Sequence, residues 1–421
     1  MNIATIDPGH FHAALVQNRA YPEMDGNAYV FAPPGAELEA HLRSVKAFNS
    51  RAENPTRWRE IVKSGPDFLQ RFSAAAADGR IGRGTVAVLA GRNNLKGRYA
   101  LAAVEAGCNV LADKPLGITR EVFAATERAA RLAEKKGLCF ADIMTERHDV
   151  SSLLRRELAR RRDLYGEQET GSETDPAVVE TSVHNFCKLV DGRPLRRPEW
   201  YYDTAVQGEG ITDVTSHLVD LVQWETFPER RLSPGDVEML YAKSWPTVIT
   251  PEQFATSTGG RTASDIACEA NGEFVWKLRG VHCRVAVRWD FMSPGGDSRC
   301  SLMRGTMAEI SMERGAGSSG PSVTVRARKD PAATAKALRQ AVAELSDQYP
   351  GLKAAAAGET GVWRVTCPAD AGHESHFSKV FREFLGWMQS GRQDPIYIDN
   401  MLVKYGTIVA ARELAHSRVK N

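Results

Sequence analysis

Two short stretches carry side chains whose types and spacing could do chemistry. The first is Gly208-Glu209-Gly210-Ile211-Thr212-Asp213-Val214-Thr215-Ser216-His217-Leu218-Val219-Asp220. Read as a helix entered through two glycines, it places Asp213, His217 and Asp220 at i, i+4 and i+7, on one stripe. Ile211, Val214, Leu218, Leu221 and Val222 form an apolar stripe beside it. A carboxylate one turn before an imidazole can fix its tautomer and raise its basicity. That suits a general base taking a proton from an alcohol near neutral pH. The same pattern also describes an amphipathic helix whose polar stripe meets water. The second stretch is Asp113-Lys114-Pro115, directly after the apolar Asn109-Val110-Leu111-Ala112. A lysine at the carboxyl edge of a parallel sheet can hold a substrate hydroxyl and favour its ionised form. Pro115 narrows where Lys114 points. A surface lysine in a loop has the same local sequence.

These residues need elements to position them. Residues 1–145 alternate strand-like and helix-like segments, the pattern of a parallel α/β sheet. Strands are predicted over 2–6, 28–32, 85–90, 109–112 and 138–143. Helices are predicted over 10–16, 37–48, 56–63, 101–107 and 121–137. After 146 comes a helix over 151–162, whose basic runs Arg155-Arg156 and Arg160-Arg161-Arg162 fall at a helix end, where cations are favoured. Alternating segments over 178–186, 237–243, 273–278, 282–289 and 309–312 then predict an open, mostly antiparallel sheet with one face covered. Three helices follow, over 332–348, 377–389 and 401–415. The expected fold is an N-terminal Rossmann-type parallel-sheet domain (1–145) and an α+β substrate and oligomerisation domain (146–421). The helices within 377–415 are expected to pack back on the first domain.

Length and composition agree with two globular domains, because 421 residues exceed the ~250–300 at which one core usually splits. Lys+Arg 54 against Asp+Glu 52 leaves +2, which argues against nucleic acid or an acidic membrane as main partner. Seven scattered cysteines without a CxxC read as reduced thiols. No apolar run approaches the ~18 residues of a membrane span, and Met1–Ile6 does not read as a signal peptide. A cytoplasmic location is the expectation.

A dinucleotide fold usually carries G-x-G-x-x-G after its first strand, so that backbone can approach the pyrophosphate at a helix N-terminus. Here the turn reads Asp7-Pro8-Gly9-His10-Phe11-His12-Ala13, and only Gly9 fills a glycine slot. The strand-two acid that would bind the ribose is replaced by Ala32 and Pro33. His10 and His12 could contact a phosphate or be satisfied by nearby backbone. Lys188, Tyr201 and Tyr202 could line a sugar pocket, as aromatic faces stack on sugars and lysine and tyrosine donate to hydroxyls; ordinary loop packing is the other reading. His373-Glu374-Ser375-His376 lacks the i, i+4 spacing of a zincin helix, so no metal is expected.

Two of these parts, about 95 residues apart, together resemble one family. Residues 100–107 followed by Asn109–Leu116, and then Gly208–Asp220, are similar to the glucose–fructose oxidoreductase / inositol dehydrogenase / rhizopine-catabolism (Gfo/Idh/MocA) family. That family carries Glu-Lys-Pro and a glycine-rich Asp-x-Gly-x-His-x-x-Asp helix. Here Asp113 replaces the glutamate, and Thr215-Ser216 stand where other residues are common. The resemblance implies bound NAD or NADP and reversible oxidation of a secondary alcohol on a sugar or cyclitol. It implies Lys114, Asp213 and His217 as catalytic residues. Gly9, His10, Phe11, His12, Ala90, Arg92, Asn93, Asp113, Lys114 and Pro115 would hold the cofactor. Lys188, Tyr201, Tyr202 and Asp220 would meet a polyhydroxylated substrate. A homodimer or tetramer is implied too. Internal redox cycling that yields epimerisation, elimination or glycoside cleavage fits the same residues. The degraded glycine turn also fits a catalytically silent binding protein on the same fold.

Overall fold

The computed structural model describes residues 1–190, 193–293, 296–315, 322–367 and 373–419. Contacts divide the chain into two compact units. The first is Met1–Thr145 with Arg197–Asp213 and His373–Val409; the second is Glu146–Arg196 with Val214–Gly372 and Ala410–Asn421. Residues 197–213, read from chain order as part of the second domain, thus group with the first unit.

The first unit is built on strands β1 (Asn2–Ile6), β2 (Asn27–Ala32), β3 (Arg59–Ser64), β4 (Thr85–Leu89), β5 (Asn109–Ala112) and β6 (Phe140–Asp142). They form one parallel sheet in the order β3-β2-β1-β4-β5-β6. This is the doubly wound dinucleotide-binding order, and it reverses between β1 and β4. Strands β4 and β5 are buried along their whole length, as their unbroken apolar sequence requires. Helices α1 (His12–Leu15), α2 (Ala36–Ser50), α3 (Phe68–Ala77), α4 (Lys96–Glu105) and α5 (Arg120–Lys136) connect them. Helix α5 shows why such a segment is helical. The Thr119 hydroxyl accepts from the Val122 N–H at its start, Lys135 and Lys136 occupy its last turn, and Gly137 ends it at φ 61°. The helix predicted over 56–63 is instead edge strand β3. Its apolar residues are too few to cover a helix face, and Ile61 and Val62 pair with Tyr29 and Val30. Helix α1 is a single turn rather than the longer helix predicted over 10–16.

Helices α7 (Thr204–Gln207), α11 (His373–Ser390) and α12 (Tyr397–Val419) complete this unit, α12 as far as Val409. At the end of β6, the Asp142 carboxylate accepts from Lys404 Nζ at 2.6 Å, Tyr405 OH at 2.7 Å and Tyr397 OH at 2.9 Å. Both charged side chains are fully buried, so α12 is fixed to the sheet by a complete polar cluster. Of His373 only the backbone is described.

The second unit holds helices α6 (Val150–Ala159), α8 (Thr215–Thr226), α9 (Pro251–Thr258) and α10 (Pro331–Leu345). Its strands are β7 (Val178–Asn185), the two-residue β8 (Leu189–Val190) and β9 (Arg193–Pro194), β10 (Val237–Ile249), β11 (Ile266–Leu278), β12 (Val281–Asp290), β13 (Ser298–Arg304), β14 (Ala308–Arg314), β15 (Ser322–Ala327), β16 (Lys353–Ala356) and β17 (Val362–Thr366). Nine of them form one sheet, β10-β11-β12-β7-β13-β14-β15-β17-β16. Only the β12–β7 pair is parallel. Strands β13, β15, β16 and β17 were not predicted. They are short and mix Arg, Ser and Ala into the alternation, which weakens the period-two signal.

The basic run at 155–156 is not a solvated helix end. Arg155 is fully buried on α6, with Nη2 2.5 Å from Glu180 on β7 and 2.6 Å from Glu225 on α8. Arg299 Nε also reaches Glu180, at 3.3 Å, so Arg155 and Arg299 share these buried carboxylates. Burial pushes the Glu225 carboxyl up to about 8, and the neighbouring Glu180 adds to this while Arg155 opposes it. A carboxyl raised above its unfolded value of 4.5 favours the fold most when protonated. That contribution is complete below pH 4.5 and is lost as pH rises through about 8. Glu225→Gln, which keeps the shape without the charge, is expected to flatten that part of the stability profile in urea unfolding between pH 5 and pH 8. An unchanged slope would contradict the assignment.

Candidate active site

The residues singled out in the first unit converge at the carboxyl ends of β1, β4 and β5. Asp7 follows β1 and takes φ 50°, the left-handed conformation that a glycine would supply in the first slot of the usual turn. Its carboxylate accepts from Arg92 Nη1 at 2.8 Å and from Tyr99 OH at 3.3 Å. Arg92 also reaches Glu37 at 3.2 Å, and the Trp200 indole N–H donates to Glu37 at 2.7 Å. Arg92, named by the resemblance as a cofactor contact, therefore already has two carboxylates. Gly9 lies under the Trp200 ring, since a Cβ there would meet Cζ2 at 2.7 Å. A Cβ on Gly91 would sit 2.0 Å from the Asp7 carbonyl oxygen. Gly91→Ala must therefore push the β1 turn aside. It is expected to cost about 1–3 kcal/mol in urea unfolding, and an unchanged midpoint would refute this packing argument.

Asp113, just beyond β5, is buried and shared by two imidazoles. His10 Nδ1 lies 2.8 Å from Oδ2, and His12 Nδ1 lies 3.1 Å from each oxygen. Burial raises a carboxyl, but the two histidines outweigh it and hold Asp113 well below the usual carboxylate range. Burial lowers the His10 imidazole, with Asp113 opposing. Ala90 is fully buried and its carbonyl accepts from the His10 N–H at 2.7 Å. Phe11 packs edge-on against His12, with ring centroids 4.4 Å apart.

Lys114 turns to Asp213, with Nζ 2.5 Å from Oδ1, and both side chains are largely buried. Gln207 Nε2 donates to the other oxygen of Asp213 at 3.1 Å. Burial pushes the Asp213 carboxyl up, but Lys114 and Gln207 bring it below its ordinary value, so it is ionised at neutral pH. The peptide between Lys114 and Pro115 is cis. The one continuous helix predicted over 208–220 is broken. Residues 208–214 are turn and loop backbone, Gly208 has φ 95°, and α8 begins only at Thr215. Two glycines and the Thr212 hydroxyl, which bonds back to the Glu209 carbonyl at 2.9 Å, compete with helix here. Asp213 thereby belongs to the first unit, and His217, half-buried on α8, to the second.

The sequence did not point to Lys96. This side chain is fully buried, and its Nζ donates to Asn93 Oδ1 at 2.5 Å, the Asp113 carbonyl at 2.8 Å and the Pro115 carbonyl at 3.2 Å. It ties the loop after β4 to the Lys114 turn. Asn93 in turn donates to the Gln207 carbonyl at 2.6 Å. One signal was present: a lysine opening a helix, where the dipole disfavours a cation, needs another reason to be there.

The proposed substrate residues lie apart in the chain and are variously engaged. Tyr201 and Tyr202 are buried in the first unit, and the Arg197 guanidinium stacks 4.2 Å from the Tyr201 ring. In the second unit, Lys188 Nζ bonds Asp297 at 2.7 Å, and Asp297 also meets His184 Nδ1 at 3.2 Å. Asp220 is held by Arg147 through two bonds of 2.6 and 2.8 Å. A hollow of about 450 Å³ in that unit, lined by residues such as Val179, Tyr241 and Arg284, contains none of the candidate residues.

Residues 154–416 match the family model described as "Putative oxidoreductase C terminal domain". A crystal structure from Parabacteroides merdae ATCC 43184, described as a "putative oxidoreductase", is 40% identical over 99% of this chain and 98% of that one, with a TM-score of 0.94. The chain belongs to the Gfo/Idh/MocA family. It is therefore a member of a family of oxidoreductases. More distant structures share the Gfo/Idh/MocA fold. A Thermotoga maritima structure is 13% identical over 99% of this chain and 98% of that one, with a TM-score of 0.63. A levoglucosan dehydrogenase complexed with NADH and levoglucosan is 14% identical over 99% and 97%, with a TM-score of 0.64. No curated protein matches the sequence.

Proposed function

We propose that the chain is an NAD(P)-dependent oxidoreductase acting on a secondary hydroxyl of a sugar, cyclitol or related polyol. The observation that carries this reading is the Lys114–Asp213 ion pair at the carboxyl edge of a doubly wound sheet, in a chain of this oxidoreductase family. The levoglucosan dehydrogenase complex, an NAD complex of GenD2 from gentamicin A biosynthesis and an NADP complex of the 3-ketoreductase KijD10 support the cofactor class.

The residues at the strand-order reversal fit a dinucleotide. They stand at the carboxyl ends of β1, β4 and β5, where a doubly wound sheet binds its ligand, with Arg92, Lys96 and Lys114 beside them. Gly9, His10, Phe11, His12, Ala90, Arg92, Asn93, Asp113, Lys114 and Pro115 would hold it. When bound, a nicotinamide would supply the hydride acceptor for the substrate carbon. Lys114 donates to the reacting hydroxyl and stabilises the negative charge that grows on its oxygen. Asp213 holds Lys114 in place. His217, four residues after Asp213, is the base that the family resemblance assigns, and it takes the hydroxyl proton. Lys188, Tyr201, Tyr202 and Asp220 are the proposed substrate contacts.

The test is a panel of sugars and cyclitols with each nicotinamide nucleotide, read at the reduced-cofactor absorbance. Activity lost in His217→Ala and in Lys114→Ala is the expected result. Full activity in both variants would end the role assignments. A silent binding protein is the second reading, favoured by His12 in the third glycine slot and by Trp200 over Gly9. Binding without turnover across the panel would select it.

A further inference from the structure

Asp113, His10 and His12 form the one group among the described residues whose donor atoms converge as metal ligands do: two imidazole nitrogens and a carboxylate oxygen, all within 4.8 Å of one another. We propose that these three side chains bind a divalent transition-metal ion of the Mn²⁺, Fe²⁺ or Co²⁺ type. This departs from the expectation of no metal, which rested on the spacing of His373 and His376 and did not consider the β1 turn.

The donor set is two histidines and one carboxylate, the combination that holds such ions while leaving coordination positions open. The distances are those of the direct hydrogen bonds the three side chains make, and they also accommodate six-coordination. Neighbouring ligands on an octahedral ion, each about 2.1 Å from it, stand about 3.0 Å apart, against about 3.4 Å on a tetrahedral one. The nitrogen–oxygen separations here are 2.8, 3.1 and 3.1 Å. Both imidazoles present the same atom, Nδ1, to one carboxylate. Two Nδ1–H donors satisfy the carboxylate in the absence of metal, and one dication can take the place of both protons. Binding the dication releases any proton held on either Nδ1, and no electrons move. The three residues are also held in place independently. His10 N–H bonds the Ala90 carbonyl, Asp113 N–H bonds the Leu89 carbonyl at 2.7 Å, and the His12 ring packs at a tilt against Phe377 with centroids 4.6 Å apart. The His10 side chain is 18% exposed, which gives an ion a way in from solvent.

The experiment uses the full chain after dialysis against a chelator, with no nucleotide or substrate, so its outcome is independent of the dinucleotide reading. Mn²⁺ is titrated by calorimetry, and Co²⁺ by absorption. One Mn²⁺ per chain is expected, with Co²⁺ giving the weak visible bands of six-coordination and no thiolate charge-transfer band. The thiolate signal matters because Cys187, Cys300 and Cys367 are not buried. His10→Gln and Asp113→Asn are each expected to weaken binding by about 10²-fold or more, since losing a ligand costs at least as much as losing a partner behind one. His10→Gln keeps a side chain of similar bulk at a half-buried position, and its melting curve checks that the fold persists. No saturable binding by the wild-type chain, thiolate-bound Co²⁺ only, or equal affinity in wild type and His10→Gln would each overturn the proposal.

Discussion

Replacing Lys114 by methionine is expected to lower kcat by about 10²–10³-fold, the usual cost of removing one preorganised donor to a developing oxyanion. Methionine keeps the length and apolar stem of lysine and removes only the charge. The loss should fall on kcat more than on KM, because the interaction strengthens as negative charge builds on the oxygen. A second signature follows from Asp213. Its carboxyl is pushed up by burial and brought down by Lys114 and Gln207. Without Lys114 the largest influence opposing burial is gone and Gln207 alone of the two remains, so the carboxyl rises. Residual activity in Lys114→Met should therefore gain an acidic limb that the wild type lacks, and Lys114→Met/Asp213→Asn should lose that limb again. Lys114→Arg should not restore the rate, since a planar guanidinium cannot place a single donor where the ammonium does. A wild-type pH profile in Lys114→Met would contradict the electrostatic part of the account.

The largest expected effect on stability is at Lys404. Removing it leaves the Asp142 carboxylate fully buried with two tyrosine hydroxyls and no cation. Breaking a buried pair from one side typically costs about 3–5 kcal/mol, because the remaining charge stays desolvated. Lys404→Met should lower the urea midpoint accordingly. Asp142→Asn combined with Lys404→Met should recover much of the loss, because no bare charge is left behind. Additive losses in the double variant would show that the two side chains act separately.

Much of the first unit was legible in sequence because its strands are unbroken apolar runs and its helices carry local stop signals. The run at 85–89 and the glycine at 137 each determine structure with their own atoms. Strand β3 was missed because an edge strand of mixed polarity has no such signature, and its pairing with β2 is decided elsewhere in the chain. The break at 208–214 shows the opposite failure. The helical spacing of Asp213 and His217 was real, but backbone competition from Gly208, Gly210 and Thr212 was local information that the spacing argument passed over. In the candidate site, Asp113, Lys114 and Asp213 could be named from motif and resemblance. Their partners could not. Lys96, Gln207, Trp200 and Glu37 reach the site from sequence separations that no periodicity encodes, and Lys96 lay outside the helix predicted over 101–107. Arg155 was misread for the same reason, since its two carboxylates lie 25 and 70 residues further along the chain.

The claim on which the functional reading depends is that the turn after β1, despite its missing glycines, binds a nicotinamide dinucleotide. Titrating the purified chain separately with NAD⁺, NADH, NADP⁺ and NADPH, and following heat or intrinsic fluorescence, tests it directly. The account predicts saturable binding of at least one of them at one per chain, weakened in Gly91→Ala. Failure of all four to bind at millimolar concentration would contradict it.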